Sequence, residues 1–218
     1  MPTMTGAEII VRLLERQGTT IAAGIPGGAN LPLYDALGQS KQIRHILPRH
    51  EQAAGFIAQG IARVSGQPGV CLATSGPGAM NLVTAIADAK LDSIPIVCIT
   101  GQVPGSMLGG DAFQEVDTYG ATIPITKHNF LVRSPEELLD VVPEAFRIAM
   151  SDRPGPVLID VPKDVQRDNA TFDELPEPAV ADASPFFDSD DPSILDAAAR
   201  INASKRPAGI RLTAWRRP

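Results

Sequence analysis

Short runs of apolar residues are the feature that most limits what this 218-residue chain can fold into. Residues 94–100 are nearly all apolar, and residues 70–74 are similar. A strand that is apolar on both faces is typical of a parallel sheet covered by helices on both sides. Helical patterns separate such runs from residue 5 to about residue 165. This alternation predicts an α/β fold with a mainly parallel sheet.

Six strands are predicted, at residues 19–24, 43–47, 70–74, 94–100, 130–132 and 156–161. A capping box of Thr5 and Glu8 predicts the start of the first helix, which is expected to end at Gly18. Further helices are predicted at residues 31–37, 51–64, 79–89 and 193–203, and from Ser134 to Met150. The expected fold is therefore a six-stranded sheet with helices on both faces.

The alternation stops near residue 166, which predicts a domain boundary. Residues 167–192 are rich in acidic residues, proline and alanine, and they are expected to form a linker. Residues 1–166 would then form one domain, and residues 193–218 the start of a second domain.

Composition and charge exclude several classes of function. The net charge of −6 argues against a nucleic acid or an anionic membrane as partner. No apolar run approaches the ~20 residues of a membrane span, and the first residues lack the features of a secretory signal. Cys71 and Cys98 lie in apolar strands, as buried, reduced cysteines of a cytoplasmic protein do. Cysteines and histidines show no metal-ligand spacing.

Four short motifs follow predicted strands, where a parallel sheet binds its ligand. They are Gly24-Ile-Pro-Gly-Gly28, Arg49-His-Glu51, Ser75-Gly-Pro-Gly78 with Asn81, and Asp111-Ala-Phe-Gln-Glu115. Each is weak alone: Gly-Pro-Gly is usually only a turn, and Glu51 alone would be a solvated glutamate at a helix N-terminus. However, the residues after Glu51 are small, so this helix can lie close to another backbone. Glu51 is therefore expected to be buried at a strand-to-helix corner.

Together and in this order, the motifs resemble the N-terminal, pyrimidine-binding domain of thiamine-diphosphate enzymes, and most of all the large catalytic subunit of acetolactate synthase (acetohydroxyacid synthase). The resemblance runs from about residue 4 to about residue 206. Besides the four motifs, it is carried by Leu33-Tyr-Asp-Ala-Leu37, Leu91-Asp-Ser-Ile-Pro95, Ile99-Thr-Gly-Gln-Val-Pro104, Thr126-Lys-His-Asn129 and Arg153-Pro-Gly-Pro-Val-Leu-Ile-Asp-Val-Pro-Lys-Asp164.

The resemblance implies thiamine diphosphate as cofactor and Glu51 and Gln114 as catalytic residues. The family's glutamate hydrogen-bonds N1′ of the aminopyrimidine ring and promotes the imino tautomer that removes the thiazolium C2 proton. The family's glutamine reaches towards the reacting carbon. The other implied contacts to the thiamine cofactor are Pro26, Gly27, Gly28, Ala29, Ser75, Pro77, Gly78 and Asn81.

The resemblance also implies a second cofactor and a substrate channel. Ser93 and Arg153 match contacts to FAD. Pro104, Ala112, Phe113, Lys127 and Lys163 match positions along the family's channel. From the residues alone, the two lysines and Arg153 would be surface groups.

The chain departs from the family mainly in length. Gly110 and Met80 stand where threonine is common. The family's central domain, and the C-terminal Gly-Asp-Gly motif that binds the diphosphate through Mg²⁺, have no counterpart in the sequence. After Pro207 the chain becomes basic, with Arg211, Trp215, Arg216 and Arg217. We therefore expect a truncated chain that is inactive alone and contributes no metal ligands.

Three hypotheses follow for function. The first is the N-terminal part of an acetolactate synthase, which condenses two pyruvates, or pyruvate and 2-oxobutyrate, in branched-chain amino-acid synthesis. The second is a part of another thiamine-diphosphate 2-oxo-acid decarboxylase or carboligase, against which Gln114 and Phe113 argue. The third is a non-catalytic oligomerisation module. Expected partners are a second copy or full-length catalytic subunits, and a small regulatory subunit.

Overall fold

The computed structural model describes residues 1–179 and 191–205 of the chain. Its strands are β1 (Thr3–Thr5), β2 (Ile21–Gly24), β3 (Arg44–Ile46), β4 (Gly69–Ala73), β5 (Ile96–Gln102), β6 (His128–Leu131), β7 (Val157–Pro162) and β8 (Asn169–Thr171). Six of them form one sheet in the order β3-β2-β4-β5-β7-β6, and every neighbouring pair is parallel. The predicted six-stranded parallel sheet is confirmed.

The helices are α1 (Gly6–Arg16), α2 (Leu31–Gln39), α3 (Glu51–Ser65), α4 (Pro77–Asn81), α5 (Val83–Asp92), α6 (Thr118–Thr122), α7 (Leu138–Met150), α8 (Lys163–Arg167) and α9 (Pro192–Ala203). Two 3₁₀ turns lie at Gly105–Met107 and Ile123–Ile125. The predicted capping box forms, because Thr5 Oγ1 accepts from the Glu8 amide while Glu8 accepts from the Thr5 amide.

Helices cover both faces of the sheet, and alternate residues of each strand face opposite sides. On one face, Val70 and Leu72 of β4 belong to a core shared with α1, α2 and α7. On the other face, Cys71 and Ala73 pack with α3 and α5. This two-sided burial explains the runs of apolar residues in the sequence. Cys71 and Cys98 are both fully buried, as predicted.

Two predicted helices begin or continue differently in the structure. The helix predicted from Ser134 begins at Leu138, because the turn before it has i to i+3 bonds, such as that from the Leu138 amide to the Pro135 carbonyl. The helix predicted at 79–89 is divided into α4 and α5 at Leu82, whose amide bonds to the Ala79 carbonyl in the same short pattern. The break falls immediately after Asn81.

The pairing of β1 with β8 is absent from the prediction. It is antiparallel, with Thr3 opposite Thr171 and Thr5 opposite Asn169. Phe172, just beyond β8, is buried in the core that contains α1. The packed structure therefore continues through Phe172, into the segment predicted as a linker.

Helix α9 forms where a helix is predicted, and none of its residues is buried. The basic segment after Pro207 and residues 180–190 of the predicted linker lie outside the described residues. Among residues 1–179 and 191–205, none of the helices combines the length and the apolar character needed to cross a membrane. The division of the chain into domains stays a prediction.

Candidate functional site

Glu51 is the first residue of α3, immediately beyond the carboxyl end of the sheet at β3. His50 is the N-cap, and its Nδ1 accepts a hydrogen bond of 3.1 Å from the Gln52 amide. Only 8% of Glu51 is exposed. Among the ion pairs of the described residues, none involves Glu51. The prediction of a buried glutamate at a helix N-terminus is confirmed.

One oxygen of the Glu51 carboxylate is occupied and the other is available to a ligand. Asn81 Nδ2 donates to Glu51 Oε2 at 2.9 Å. Within the part of the chain that the structure describes, Oε1 accepts no hydrogen bond. It faces Gly78, where an added Cβ would lie 3.4 Å from it. The division between α4 and α5 therefore places Asn81 so that it orients Glu51.

The small residues of α3 hold it close to α5. A Cβ at Gly55 would lie 2.5 Å from the Cβ of Ala85, so no larger residue fits there without movement of one helix. Ala54 and Ala58 are fully buried on the same helix. This close packing fixes the backbone that carries Glu51.

Thr74 lies among the candidate site residues, although none of the four sequence motifs includes it. It follows β4, is 9% exposed, and its Oγ1 accepts from the Ala29 amide at 3.2 Å. A Cβ at Gly27 would lie 2.6 Å from the Thr74 side chain, and one at Gly78 would lie 2.7 Å from it. Thr74 therefore joins two of the predicted motifs. Its position between a buried strand and Ser75 was the available signal.

The predicted cofactor contacts differ in exposure. Ser75 and Ala29 are buried, Pro26 and Gly28 are exposed, and Pro77 is exposed as the first residue of α4. All five follow β2 or β4, at the same end of the sheet as Glu51. The structure thus brings these positions to one edge, as expected for loops that follow parallel strands.

Gly76 brings the fourth motif to the same place. It has φ +55° and ψ −116°, a backbone conformation that favours glycine. A Cβ there would lie 2.4 Å from the Gln114 carbonyl oxygen. The loop that carries Gln114 therefore lies directly against the loop that precedes α4.

This contact gives a prediction for stability. Gly76→Ala is expected to lower the free energy of unfolding by about 1–3 kcal/mol, the usual cost of a strained backbone position, because the new methyl group also meets Gln114. Denaturant unfolding of the purified chain measures it. Gly60→Ala is the matched control, since a Cβ there meets nothing within 4 Å in the middle of α3. Equal effects of the two substitutions would contradict the prediction.

The loop between β5 and α6 is held by its own Glu115. The Glu115 carboxylate accepts from the amides of Gly109 and Ala112. Backbone amides of the loop, first that of Ala112 and then that of Gly109, hold the pKa of Glu115 below its usual value. Gln114 has φ +58° and is exposed, and Phe113 beside it is 86% exposed. The loop therefore presents Gln114 and Phe113 outward.

Four of the five predicted channel positions lie at this carboxyl edge. Pro104 follows β5, and Lys163 begins α8 directly after β7. The Gly105 amide donates to Asp164 Oδ2 at 2.9 Å, which connects the two loops. Ala112 and Phe113 belong to the loop that starts at Pro104.

Ser93, Arg153 and Lys127 lie at the opposite edge, because each precedes a strand. Arg153 Nε donates to Ser93 Oγ at 2.7 Å, so the two predicted FAD contacts touch each other. Lys127 Nζ donates to the carbonyl and the hydroxyl of Ser151, and burial lowers the pKa of Lys127. Strand β7 has six residues, so about 20 Å separates the two edges at ~3.3 Å per residue. The geometry groups Lys127 with the FAD-type positions rather than with Lys163.

No group of three or more His, Cys, Asp or Glu side chains within residues 1–179 and 191–205 could hold a metal ion. The site at the carboxyl edge is instead a carboxylate beside a glycine-lined space, with an amide group that fixes one oxygen. Such a site suits a flat heterocycle with a ring nitrogen, because Oε1 of Glu51 can share a proton with that nitrogen.

Residues 4–121 match the family described as thiamine pyrophosphate enzyme, N-terminal TPP binding domain. This match covers more than half of the chain, which therefore belongs to that family. The chain is 68% identical over 205 residues to the acetolactate synthase isozyme 1 large subunit of Escherichia coli, covering 93% of this chain and 36% of the relative.

Two further relatives carry similar names. An acetolactate synthase of Mycobacterium bovis is 52% identical over 94% of this chain and 33% of its own length. The acetolactate synthase large subunit of Corynebacterium glutamicum is 58% identical over 81% of this chain and 28% of its own length. The chain thus spans about a third of the length of these curated relatives.

Proposed function

We propose that this chain forms the pyrimidine-binding part of an acetolactate synthase catalytic subunit. The parent reaction joins two pyruvates, or pyruvate and 2-oxobutyrate, with loss of carbon dioxide, and serves the synthesis of valine, leucine and isoleucine. Membership of the thiamine pyrophosphate family and 68% identity to an acetolactate synthase large subunit support the proposal.

The observation that carries the proposal is the environment of Glu51. Thiamine pyrophosphate, when bound, supplies the electron sink for decarboxylation, while the protein binds and orients it. Glu51 would accept or donate a proton at the N1′ ring nitrogen through Oε1, because Asn81 occupies Oε2. Removal of Glu51 from water strengthens such a hydrogen bond. Thr74 would hold the walls formed by Gly27 and Gly78 on either side.

Gln114 would act on the substrate side of the same site. Its backbone lies against Gly76, one residue from the start of α4. The exposed Phe113 and the neighbouring Pro104, Ala112 and Lys163 would line the approach for the 2-oxo acid. A basic group such as Lys163 suits a carboxylate substrate.

FAD and Mg²⁺ are further parts of the proposal. Ser93 and Arg153 would contact FAD, since Arg153 Nη1 donates to no residue in the described part of the chain and can reach a phosphate or ribose oxygen. This chain corresponds to about a third of the Escherichia coli relative. Mg²⁺ and the diphosphate would be held by residues of the remaining two thirds of such an enzyme.

We also propose how the chain assembles. It would pair with a second catalytic subunit, which would supply the diphosphate-binding residues, and it would associate with a small regulatory subunit. The names of the relatives in Escherichia coli and Corynebacterium glutamicum, which are large subunits, support a small partner. The proposed enzyme would act in the cytoplasm.

A chimera tests the proposed activity. The segment of this chain that matches the Escherichia coli relative would replace the corresponding 205 residues of that enzyme. Acetolactate formation from pyruvate, dependent on thiamine pyrophosphate, is the expected result. A well-folded chimera that decarboxylates pyruvate to acetaldehyde alone would instead favour the decarboxylase alternative.

The 218-residue chain by itself is expected to bind thiamine pyrophosphate weakly and to form no acetolactate. The ring contributes apolar burial at ~25 cal/mol per Å² and one strong hydrogen bond to Glu51, and association entropy opposes both. A dissociation constant on the order of 1 mM, about −4 kcal/mol, is expected. Calorimetric titration with the cofactor and magnesium measures it, with Glu51→Ala as the variant that should lose the heat. Acetolactate from the purified chain alone would contradict this prediction.

A further inference from the structure

We propose that Gln102 and Asp160 form a buried anchor that positions the loop bearing Gln114, and that they act as positioning residues rather than as catalytic ones. The anchored segment is residues 105–117, called here the Gln114 loop. Its catalytic meaning rests on the proposed function, but its physical basis is a set of hydrogen bonds that needs no cofactor.

Gln102 connects the sheet to the Gln114 loop. It is the last residue of β5 and is 2% exposed. Its Nε2 donates to the Val116 carbonyl at 2.9 Å and to Asp160 Oδ2 at 2.9 Å. Val116 lies two residues after Gln114. The bond to the Val116 carbonyl is therefore a direct contact between a rigid central strand and the end of this loop.

Asp160 contributes to the orientation of the Gln102 side-chain amide. A glutamine amide has two N–H donors on one atom and only acceptor capacity on the other. The Val116 carbonyl has only acceptor capacity, as has the Asp160 carboxylate when it is ionised, and Gln102 Oε1 accepts from the Val103 amide at 2.9 Å. Rotation of the amide by half a turn would direct its oxygen at two acceptors. The donor side is thus locked towards Val116.

Asp160 is itself held by the neighbouring strand. It lies in β7 opposite Thr100 of β5, and Thr100 Oγ1 donates to Asp160 Oδ1 at 2.7 Å. Asp160 is 1% exposed and forms no ion pair with any residue that the structure describes. Burial of a carboxyl group without a countercharge is unfavourable. Its two oxygens instead accept from the side chains of Thr100 and Gln102, one bond to each.

The other side-chain hydrogen bonds of the Gln114 loop do not connect its Val116 end to the sheet. Glu115 binds only amides of the loop itself, those of Gly109 and Ala112. Asp164 holds the beginning of the loop, through Gly105. Loss of the bond from Gln102 would therefore free the end nearer to Gln114 while leaving the sheet intact.

Hydrogen–deuterium exchange of the 218-residue chain, measured by mass spectrometry, tests the proposal. Gln102→Met keeps the length of the side chain and removes both donors. We expect amides of the Gln114 loop and the Thr118 amide, which bonds to the Val116 carbonyl, to exchange roughly tenfold faster or more, the usual result when a local structure opens independently of the global fold. Amides of β5 and β7 should change by less than about twofold in the same variant.

Two conservative variants separate positioning from ordinary support of the core. Asp160→Asn keeps one oxygen for Gln102 and should retain the protection of the loop. Thr100→Val removes the other bond of Asp160, at 2.7 Å, and should leave the loop protected as well. If Gln102→Met does not fold, Gln102→Asn provides the test, because its shorter amide cannot reach both acceptors.

Unchanged loop exchange in a folded Gln102 variant would overturn the proposal. An equal increase in loop exchange in Thr100→Val and Gln102→Met would also overturn the proposal. The cluster of Thr100, Gln102 and Asp160 would then only support the core. Both exchange measurements are made without thiamine pyrophosphate, so they test the anchor alone. A failure of the proposed function would appear separately, as a chimera that forms no acetolactate.

Discussion

Glu51→Gln in the chimera with the Escherichia coli relative is expected to slow hydrogen–deuterium exchange at C2 of bound thiamine pyrophosphate by roughly 10²-fold or more. Glutamine keeps the size of the buried side chain, and its oxygen can still accept from Asn81, which now bonds Oε2 at 2.9 Å. It cannot share a proton with the ring nitrogen. The variant should therefore keep its fold, whereas proton transfer to and from the ring nitrogen should be lost.

The measurement is proton NMR of the C2 position after rapid acid quench, at saturating cofactor. Glu136→Gln is the matched control, because Glu136 is exposed and precedes α7, away from the carboxyl edge of β3. The control should exchange at the parent rate. Near-parent exchange in Glu51→Gln, with normal cofactor binding, would mean that another residue holds the proton.

Asp160→Asn is expected to change how the stability of the chain depends on pH. Burial raises the pKa of Asp160 to about 7 from its ordinary 3.8, although hydrogen bonds from Thr100 and Gln102 oppose the rise and nearby Asp117 adds to it. The folded chain therefore keeps the Asp160 proton up to about pH 7, whereas the unfolded chain releases it near pH 4. Between these values the folded state binds more protons. The free energy of unfolding consequently falls as pH rises, by about 4 kcal/mol in total.

Asparagine does not titrate in this pH range, so the free energy of unfolding of the variant does not decrease through this group. Its stability relative to the parent should rise by about 4 kcal/mol between pH 4 and pH 8. Urea unfolding of both proteins at each pH measures the difference, in which the other titrating groups cancel. Asp35→Asn is the control, because Asp35 is exposed on α2. A difference that stays constant with pH would show that Asp160 is already ionised in the acid range.

The parts of the fold that the sequence predicted are those that depend on local pattern. Each of the six strands of the main sheet overlaps a strand predicted from the sequence, and Thr5 and Glu8 form a capping box within four residues. The pairing of β1 with β8 joins residues 168 positions apart along the chain and has no local signal. The division of α4 from α5 at Leu82 was equally hidden, because residues 79–89 contain neither proline nor glycine to mark a break.

The candidate site shows the same distinction. Glu51, Asn81 and Gln114 lie in motifs at strand ends, and resemblance to a family was enough to select them. Thr74 was missed because its role is to meet two glycines, Gly27 and Gly78, that only the fold brings to it. Asp160 was missed because it lies inside an apolar strand, where the sequence alone does not reveal the donors of Thr100 and Gln102.

The antiparallel pair of β1 and β8 sets how this domain can be combined with others. Thr3 lies opposite Thr171, so the polypeptide enters and leaves the packed domain at one place. A domain with adjacent ends can be inserted into or moved between longer polypeptides as a cassette, since its neighbours connect at a single point and need not span the sheet. The same arrangement permits circular permutation. A short link from a residue after Phe172 back to residue 3 could close the ring, and new ends could be opened at the turn after α3, around Gly66.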